Sequence, residues 1–256
     1  MPSKHKQMPS LYQRMFYPQH EGPYKIFMEY ARVIFVALLI AFVFRTFVAS
    51  PYKIPSSSMM PTLLVGDYLF VSKYSYGLPL LFTDGQRLHK TLPERGDIVV
   101  FKKHLPNGSE QNYIKRVIAV PGDMIAYKNK QVILNNAPLS LEYVGAHRYD
   151  YRGATINTER FAETIDGAQH PVLHQAEQGQ DVEPMRVPPN HLVVMGDNRD
   201  ASYDSRFWHY PSWGYVPMND VVGRAEFIFW SWNEYMKPRL GRIATSLRKP
   251  EPTTAE

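Results

Sequence analysis

Residues 33–44, VIFVALLIAFVF, form an unbroken apolar run, the strongest constraint in this chain. Twelve residues at a helical rise of about 1.5 Å give roughly 18 Å, short of a ~30 Å hydrocarbon core. Extending the run from Ala31 to Ser50 adds only Arg32, Arg45 and Thr46 as polar interruptions. The extended stretch reaches about 30 Å. Arg45 lies about 7 Å inside one end by the same rise, within reach of headgroups for a long guanidinium stem. The pattern predicts a single transmembrane helix over 31–50. The short flank before it carries Lys4, Lys6, Arg14, Lys25 and Arg32 against Glu21 and Glu29. Such a flank stays cytoplasmic, which puts everything after Ser50 outside. Phe47 is too large for the small-residue position of a cut after Ala49, and Pro51 follows. The span therefore reads as a retained anchor rather than a removed leader.

Beyond the span the texture changes. YLFVSKY (68–74), DIVVF (97–101), YIKRVIAV (113–120), QVILN (131–135), HLVVM (191–195) and RAEFIFWSW (224–232) read as short strands. PGD (121–123), NN (135–136), PPN (188–190) and GDN (196–198) punctuate them. No amphipathic helix competes. Residues 140–186 are polar and read as an insertion between two core blocks. The expected organisation is a basic segment (1–30), the anchor (31–50), a catalytic β domain (51–127 and 188–236), an inserted β subdomain (128–187) and a basic, then Pro/Thr-rich tail (237–256).

The 256 residues carry a formal charge of +5, too little to argue for nucleic acid, and no such partner is expected. The chain has no cysteine, which removes thiol nucleophiles, Cys-based zinc sites and disulfides. Among nine histidines only His170 and His174 have i, i+4 spacing, and Pro171 between them argues against a metal-binding helix. Neither a metal nor another cofactor is expected.

IPSSSMMPTL (54–63) crowds three hydroxyls between prolines just after the apolar run. It is either a Ser-rich linker or a nucleophile site. Along an extended chain Ser56 and Ser58 share one side and Ser57 faces the other. A serine attacking a carbonyl needs a base. No GxSxG elbow is present, and no histidine stands in a catalytic context. A neutral lysine can serve if burial lowers its pKa from about 10.4. Lys115 sits among Tyr113, Ile114, Val117, Ile118 and Val120. If it faces the apolar side, Arg116 points the other way and stays solvated. Periodicity alone leaves open the alternative of a surface strand with both cations in water.

Four blocks resolve this by resemblance. PSSSMMPTLLVGD (55–67), RGDIVVF (95–101), YIKRVIAVPGD (113–123) and GDNRDASYDSR (196–206), in this order after an apolar span, resemble bacterial signal peptidase I. With GRAEFIFWSW (223–232) these blocks make up about a fifth of the chain. The resemblance implies a mostly β fold: a single N-terminal transmembrane helix, then an extracytoplasmic antiparallel β-sheet catalytic domain with a smaller inserted β subdomain. It implies that Ser58 is the nucleophile and Lys115 the general base. Ser56 completes the oxyanion hole with the Ser58 N–H, Ser202 orients the base, and Asp204 and Arg206 form a supporting ion pair. Asp197, Asn198 and Arg199 are expected as scaffold. The chain departs from the family's pattern at Ser57, where Gly is usual, at an inserted HYPS (209–212), and in having one span where many relatives have two.

The implied activity is removal of N-terminal signal peptides from exported proteins, cutting after small residues at the first and third positions before the bond. Residues 52–57 and 113–117 are expected to wall the pockets. The implied location is the bacterial inner membrane with the catalytic domain on the outer face. The implied partners are signal-peptide-bearing preproteins, membrane lipid and the secretion machinery. GLPLLF (77–82), Trp208, Trp213, Phe229, Trp230 and Trp232 suggest a lipid-dipping surface. The alternatives are a conjugation- or maturation-type Ser/Lys peptidase of the same fold, or a non-catalytic membrane-anchored β-rich assembly protein.

Overall fold

A computed structural model describes residues 22–80, 83, 86–175 and 179–248. Lys4, Lys6, Arg14 and Glu21 of the basic flank, Leu81 and Phe82 of the expected lipid-facing loop, and tail residues 249–256 lie outside the described residues. Two compact units divide the chain, Met1–Val48 and Ala49–Glu256.

The described residues of the first unit form helix α1, Gly22–Val43, continued by a π-helical turn at Phe44–Val48. Pro23 occupies the first turn, where its missing N–H costs nothing. From Pro23 to Val48 the helix is long and apolar enough to cross a membrane. Ile34, Phe35, Leu38, Ile40 and Phe42 are all exposed, an arrangement that suits lipid and not water. The helix begins nine residues before the expected span of 31–50. Helical hydrogen bonding runs back to Gly22 through residues whose polarity ended the apolar count. At the other end Ser50 belongs to a strand, because Ala49–Lys53 pairs with its neighbour.

Among the described residues the second unit holds sixteen strands: β1 (Ala49–Lys53), β2 (Asp67–Ser72), β3 (Leu78–Pro79), β4 (Arg87–Leu88), β5 (Ile98–His104), β6 (Glu110–Ala119), β7 (Met124–Lys128), β8 (Gln131–Leu134), β9 (Ala137–Pro138), β10 (Ser140–Tyr151), β11 (Ala154–Ile165), β12 (Ala168–His174), β13 (Val182–Arg186), β14 (His191–Met195), β15 (Val216–Pro217) and β16 (Val221–Ser231). The main sheet has the order β1-β2-β16-β5-β6-β14-β15, and all its pairs are antiparallel. The fold is mostly β, with one N-terminal apolar helix, as the sequence implies.

Both faces of the main sheet are covered, so its central strands are apolar without alternation. Ile98 and Val100 of β5 pack with Ile54, Met59, Leu63 and Leu69. Val99 and Phe101 pack on the other face with Tyr76, Val117 and Val194. Lys115 stands opposite Val99 in the register, and Arg116 stands opposite Ile98. The stretch expected as an insertion holds the three-stranded sheet β10-β11-β12 and part of the four-stranded sheet β13-β7-β8-β9. Its Ile165, Val182 and Val187 share a core with Ile118, Val193 and Met195. One expected lipid-facing side chain is misassigned. Trp213 is 2% exposed in this same core, with its indole N–H donating to the Glu183 carbonyl at 3.0 Å. The inserted HYPS segment is an exposed turn closed by the Ser212 N–H on the His209 carbonyl, at 2.9 Å.

Candidate active site

The three serines lie in a turn rather than along an extended strand. The Ser57 carbonyl accepts from the Met60 N–H at 3.0 Å, and the Met59 carbonyl accepts from Leu63 at 2.9 Å. Met59 and Leu63 are fully buried and pin the turn against the core. The Ser56 and Ser58 hydroxyls nevertheless come together, 3.4 Å apart.

Lys115 projects from the middle of β6 toward this turn. Its Nζ lies 2.6 Å from Ser58 Oγ. Only 5% of Lys115 and 7% of Ser58 is exposed. Burial lowers the pKa of the amine from 10.5 to about 8, and the Arg206 guanidinium adds to the effect. Asp204 and Asp197 oppose it without reversing it. Residues 57 positions apart in sequence are thereby joined as a hydroxyl and an amine largely neutral at mildly alkaline pH.

Arg116 does not stay solvated as expected. It is 6% exposed and grips Asp197 through two hydrogen bonds of 2.8 and 2.7 Å, with a third to the Gly96 carbonyl at 2.8 Å. Thr62 also donates to Asp197. The reason is that the second face of β6 is covered by protein, so the side chain opposite Lys115 needs a buried counter-ion.

Asp204 and Arg206 meet in the expected pair, at 3.0 and 2.9 Å, both essentially inaccessible. Burial would raise the Asp204 carboxyl, but the Arg206 guanidinium outweighs it and holds the group below the usual carboxylate range. Asp204 also accepts from the Gly196 N–H at 3.0 Å, and Arg206 donates to the Arg199 carbonyl at 2.6 Å. Arg199 is itself paired with Glu163 of β11, at 2.8 Å. The buried Ser202 hydroxyl makes no hydrogen bond to the Lys115 amine. It packs instead against Gly196, where an added Cβ would sit 2.3 Å from Ser202 Oγ and 2.4 Å from the Ser58 carbonyl.

The blocks understated Asn198 and gave no sign of Tyr149. Asn198 donates its backbone N–H to the Ser58 carbonyl at 3.1 Å and its amide to the Ser57 carbonyl at 3.1 Å and to Tyr149 Oη at 2.8 Å. The GDN pattern signalled Asn198 as scaffold. Tyr149 sits in the polar stretch, where nothing local marks it. Half-buried Tyr52 and Ile114, from the two segments expected to wall the pockets, pack on the cluster that holds Ile54 and Met59. The strand β6 pairs with β14 only from Arg116 onward, which leaves Glu110–Lys115 without that neighbour.

The chain resembles proteins of known kind along most of its length. A family model described as signal peptidase, peptidase S26, matches residues 27–230. Signal peptidase I of Pseudomonas fluorescens is 34% identical over 85% of this chain and 76% of its own length. Signal peptidase I of Pseudomonas aeruginosa is 36% identical over 81% of this chain and 74% of its own. That of Leptolyngbya laminosa is 34% identical over 88% and 87%. The ordered match over both the apolar helix and the β unit places this chain in the signal peptidase family, peptidase S26.

Proposed function

We propose that Ser58 and Lys115 form the dyad with which this membrane-anchored serine peptidase removes N-terminal signal peptides from exported proteins. The observation that carries it is the 2.6 Å approach of a buried amine to a buried hydroxyl. The neutral amine takes the Ser58 proton as Oγ attacks the carbonyl at the cleavage point. The developing oxyanion is stabilised by the Ser58 N–H and the Ser56 hydroxyl, and the leaving amine takes its proton back from Lys115. Water then hydrolyses the acyl-enzyme with the same base. An extended substrate would add along the free edge of β6 at 110–115, facing Ser56–Ser58, with main-chain hydrogen bonds for affinity. Tyr52, Ile54 and Ile114 would form shallow apolar walls that admit small side chains.

The short Lys/Arg-rich flank supports a cytoplasmic N-terminus in the bacterial inner membrane, with the β unit on the outer face. Half-buried Phe229, Trp230 and Trp232, with exposed Tyr235 and Met236 close by in sequence, are the candidates for lipid contact. Preproteins would arrive from the secretion machinery.

The test is cleavage of a leader-bearing protein by the full-length chain in detergent. Activity should survive EDTA and thiol reagents and disappear in Ser58→Ala and in Lys115→Ala. Activity retained in either variant overturns the dyad.

A further inference from the structure

We propose that Asn198, steadied by Tyr149, is a positioning residue that sets the direction of the Ser58 N–H at the oxyanion site; this rests on the dyad reading above. The Ser57 carbonyl and the Ser58 N–H belong to one planar, trans peptide unit and point in opposite directions. Whatever holds the carbonyl therefore aims the N–H. Two donors hold it: the Met60 N–H at 3.0 Å, and the Asn198 amide at 3.1 Å. The next peptide unit is held by the same residue, because the Asn198 backbone N–H donates to the Ser58 carbonyl at 3.1 Å. Asn198 thus grips both peptide planes that flank the nucleophile.

The orientation of its amide is determined by its neighbours. A carbonyl can only accept, so the NH₂ end must face Ser57. Its second N–H goes to Tyr149 Oη at 2.8 Å, and Oδ1 is buried with no partner among the described residues. An unpaired buried acceptor is costly, and the arrangement spends both amide donors on the nucleophile turn and its brace. Tyr149 is in turn fixed by packing with Met60 of the turn and Leu173 of β12. Leu173 donates its N–H to the Asp197 carbonyl at 2.8 Å, which ties β12 to the segment that carries Asn198. The three-stranded sheet β10-β11-β12 so braces the oxyanion site through one hydroxyl.

The experiment compares Tyr149→Phe, Asn198→Ala and the double variant in the full-length enzyme. Steady-state cleavage, affinity for a peptidyl boronate that adds to the serine, affinity for a non-covalent product peptide, pH profile and melting are measured. A misaimed oxyanion donor acts on the transition state alone, so kcat should fall with KM unchanged. The expected loss is about 10²-fold for Asn198→Ala, the scale of one oxyanion donor, and several-fold for Tyr149→Phe. Boronate affinity should fall by the same factors and product-peptide affinity should not. The apparent pKa of the profile should stay in place, and Tyr149→Phe should add nothing in the Asn198→Ala background. Wild-type kcat in Tyr149→Phe, a loss carried by KM, a displaced pKa, or a loss that tracks the melting temperature overturns the proposal. Should Asn198→Ala not fold, Tyr149→Phe decides alone. An inactive Ser58→Ala beside a neutral Tyr149→Phe refutes this inference only; an active Ser58→Ala refutes the dyad as well.

Discussion

Cleavage should accelerate with pH, and the position of the rise follows from the burial of Lys115. An amine with a pKa of about 8 is roughly one-tenth neutral at pH 7 and nearly all neutral by pH 9.5. Between those values kcat/KM should climb about tenfold and level off. An amine left at 10.5 would still be gaining close to tenfold per unit at pH 9. The same shift has a consequence for stability. In the unfolded chain Lys115 titrates near its ordinary value, so between about 8 and 10.5 the unfolded state holds more protons and stability rises with pH. Below pH 8 the charged amine costs the fold the whole difference, about 3 kcal/mol at 1.36 kcal/mol per unit. Lys115→Met removes the charge while filling the space. It should be inactive yet more stable than the parent by about that amount at pH 7, with the advantage shrinking above pH 8 and gone by about 10.5. The assay is leader cleavage from pH 6.5 to 10 in one ionic strength, paired with urea melts of both proteins at each pH. A rate that keeps climbing past pH 9.5, or a variant no more stable than the parent at pH 7, would refute the claim that desolvation tunes this lysine.

Three further outcomes are expected. Gly196→Ala places a Cβ 2.4 Å from the Ser58 carbonyl, so the turn must retreat by about half an ångström to reach a 3.0 Å contact. Such a displacement of the nucleophile should lower kcat toward 10²-fold with little change in KM. Ser56→Ala removes one oxyanion donor and should lower kcat by about 10²–10³ while melting stays put. Asp204→Asn leaves Arg206 buried without its counter-ion and should cost about 3–5 kcal/mol in denaturant melts, whereas a loss under 1 kcal/mol would deny the pair its supporting role.

Much of the architecture is written locally. The apolar run and the short β-branched segments are signals within a few residues, and they became α1 and the strands β2, β5, β6, β8, β14 and β16 with edges moved by a few positions. The ends of α1 moved more, because hydrogen bonding carries a helix past the residues that satisfy a hydropathy count. The expectation for Arg116 failed for a related reason. Alternation tells which neighbours share a face, but not whether a second layer covers that face. Trp213 was misread because an aromatic suits a lipid boundary and a packed core equally well.

By itself the sequence determined that an apolar helix precedes a β-rich unit, and that serines 56–58 and Lys115 stand in the order and spacing of a known family. Only the tertiary structure decided that Lys115 Nζ lies 2.6 Å from Ser58 Oγ in a site with little solvent. It alone set the Arg116–Asp197 pair, the Tyr149–Asn198 brace and the packing of Ser202 on Gly196. Strand periods and motifs are carried by neighbouring residues, whereas a pKa and the aim of an N–H depend on what distant segments exclude or donate once the chain has closed around them.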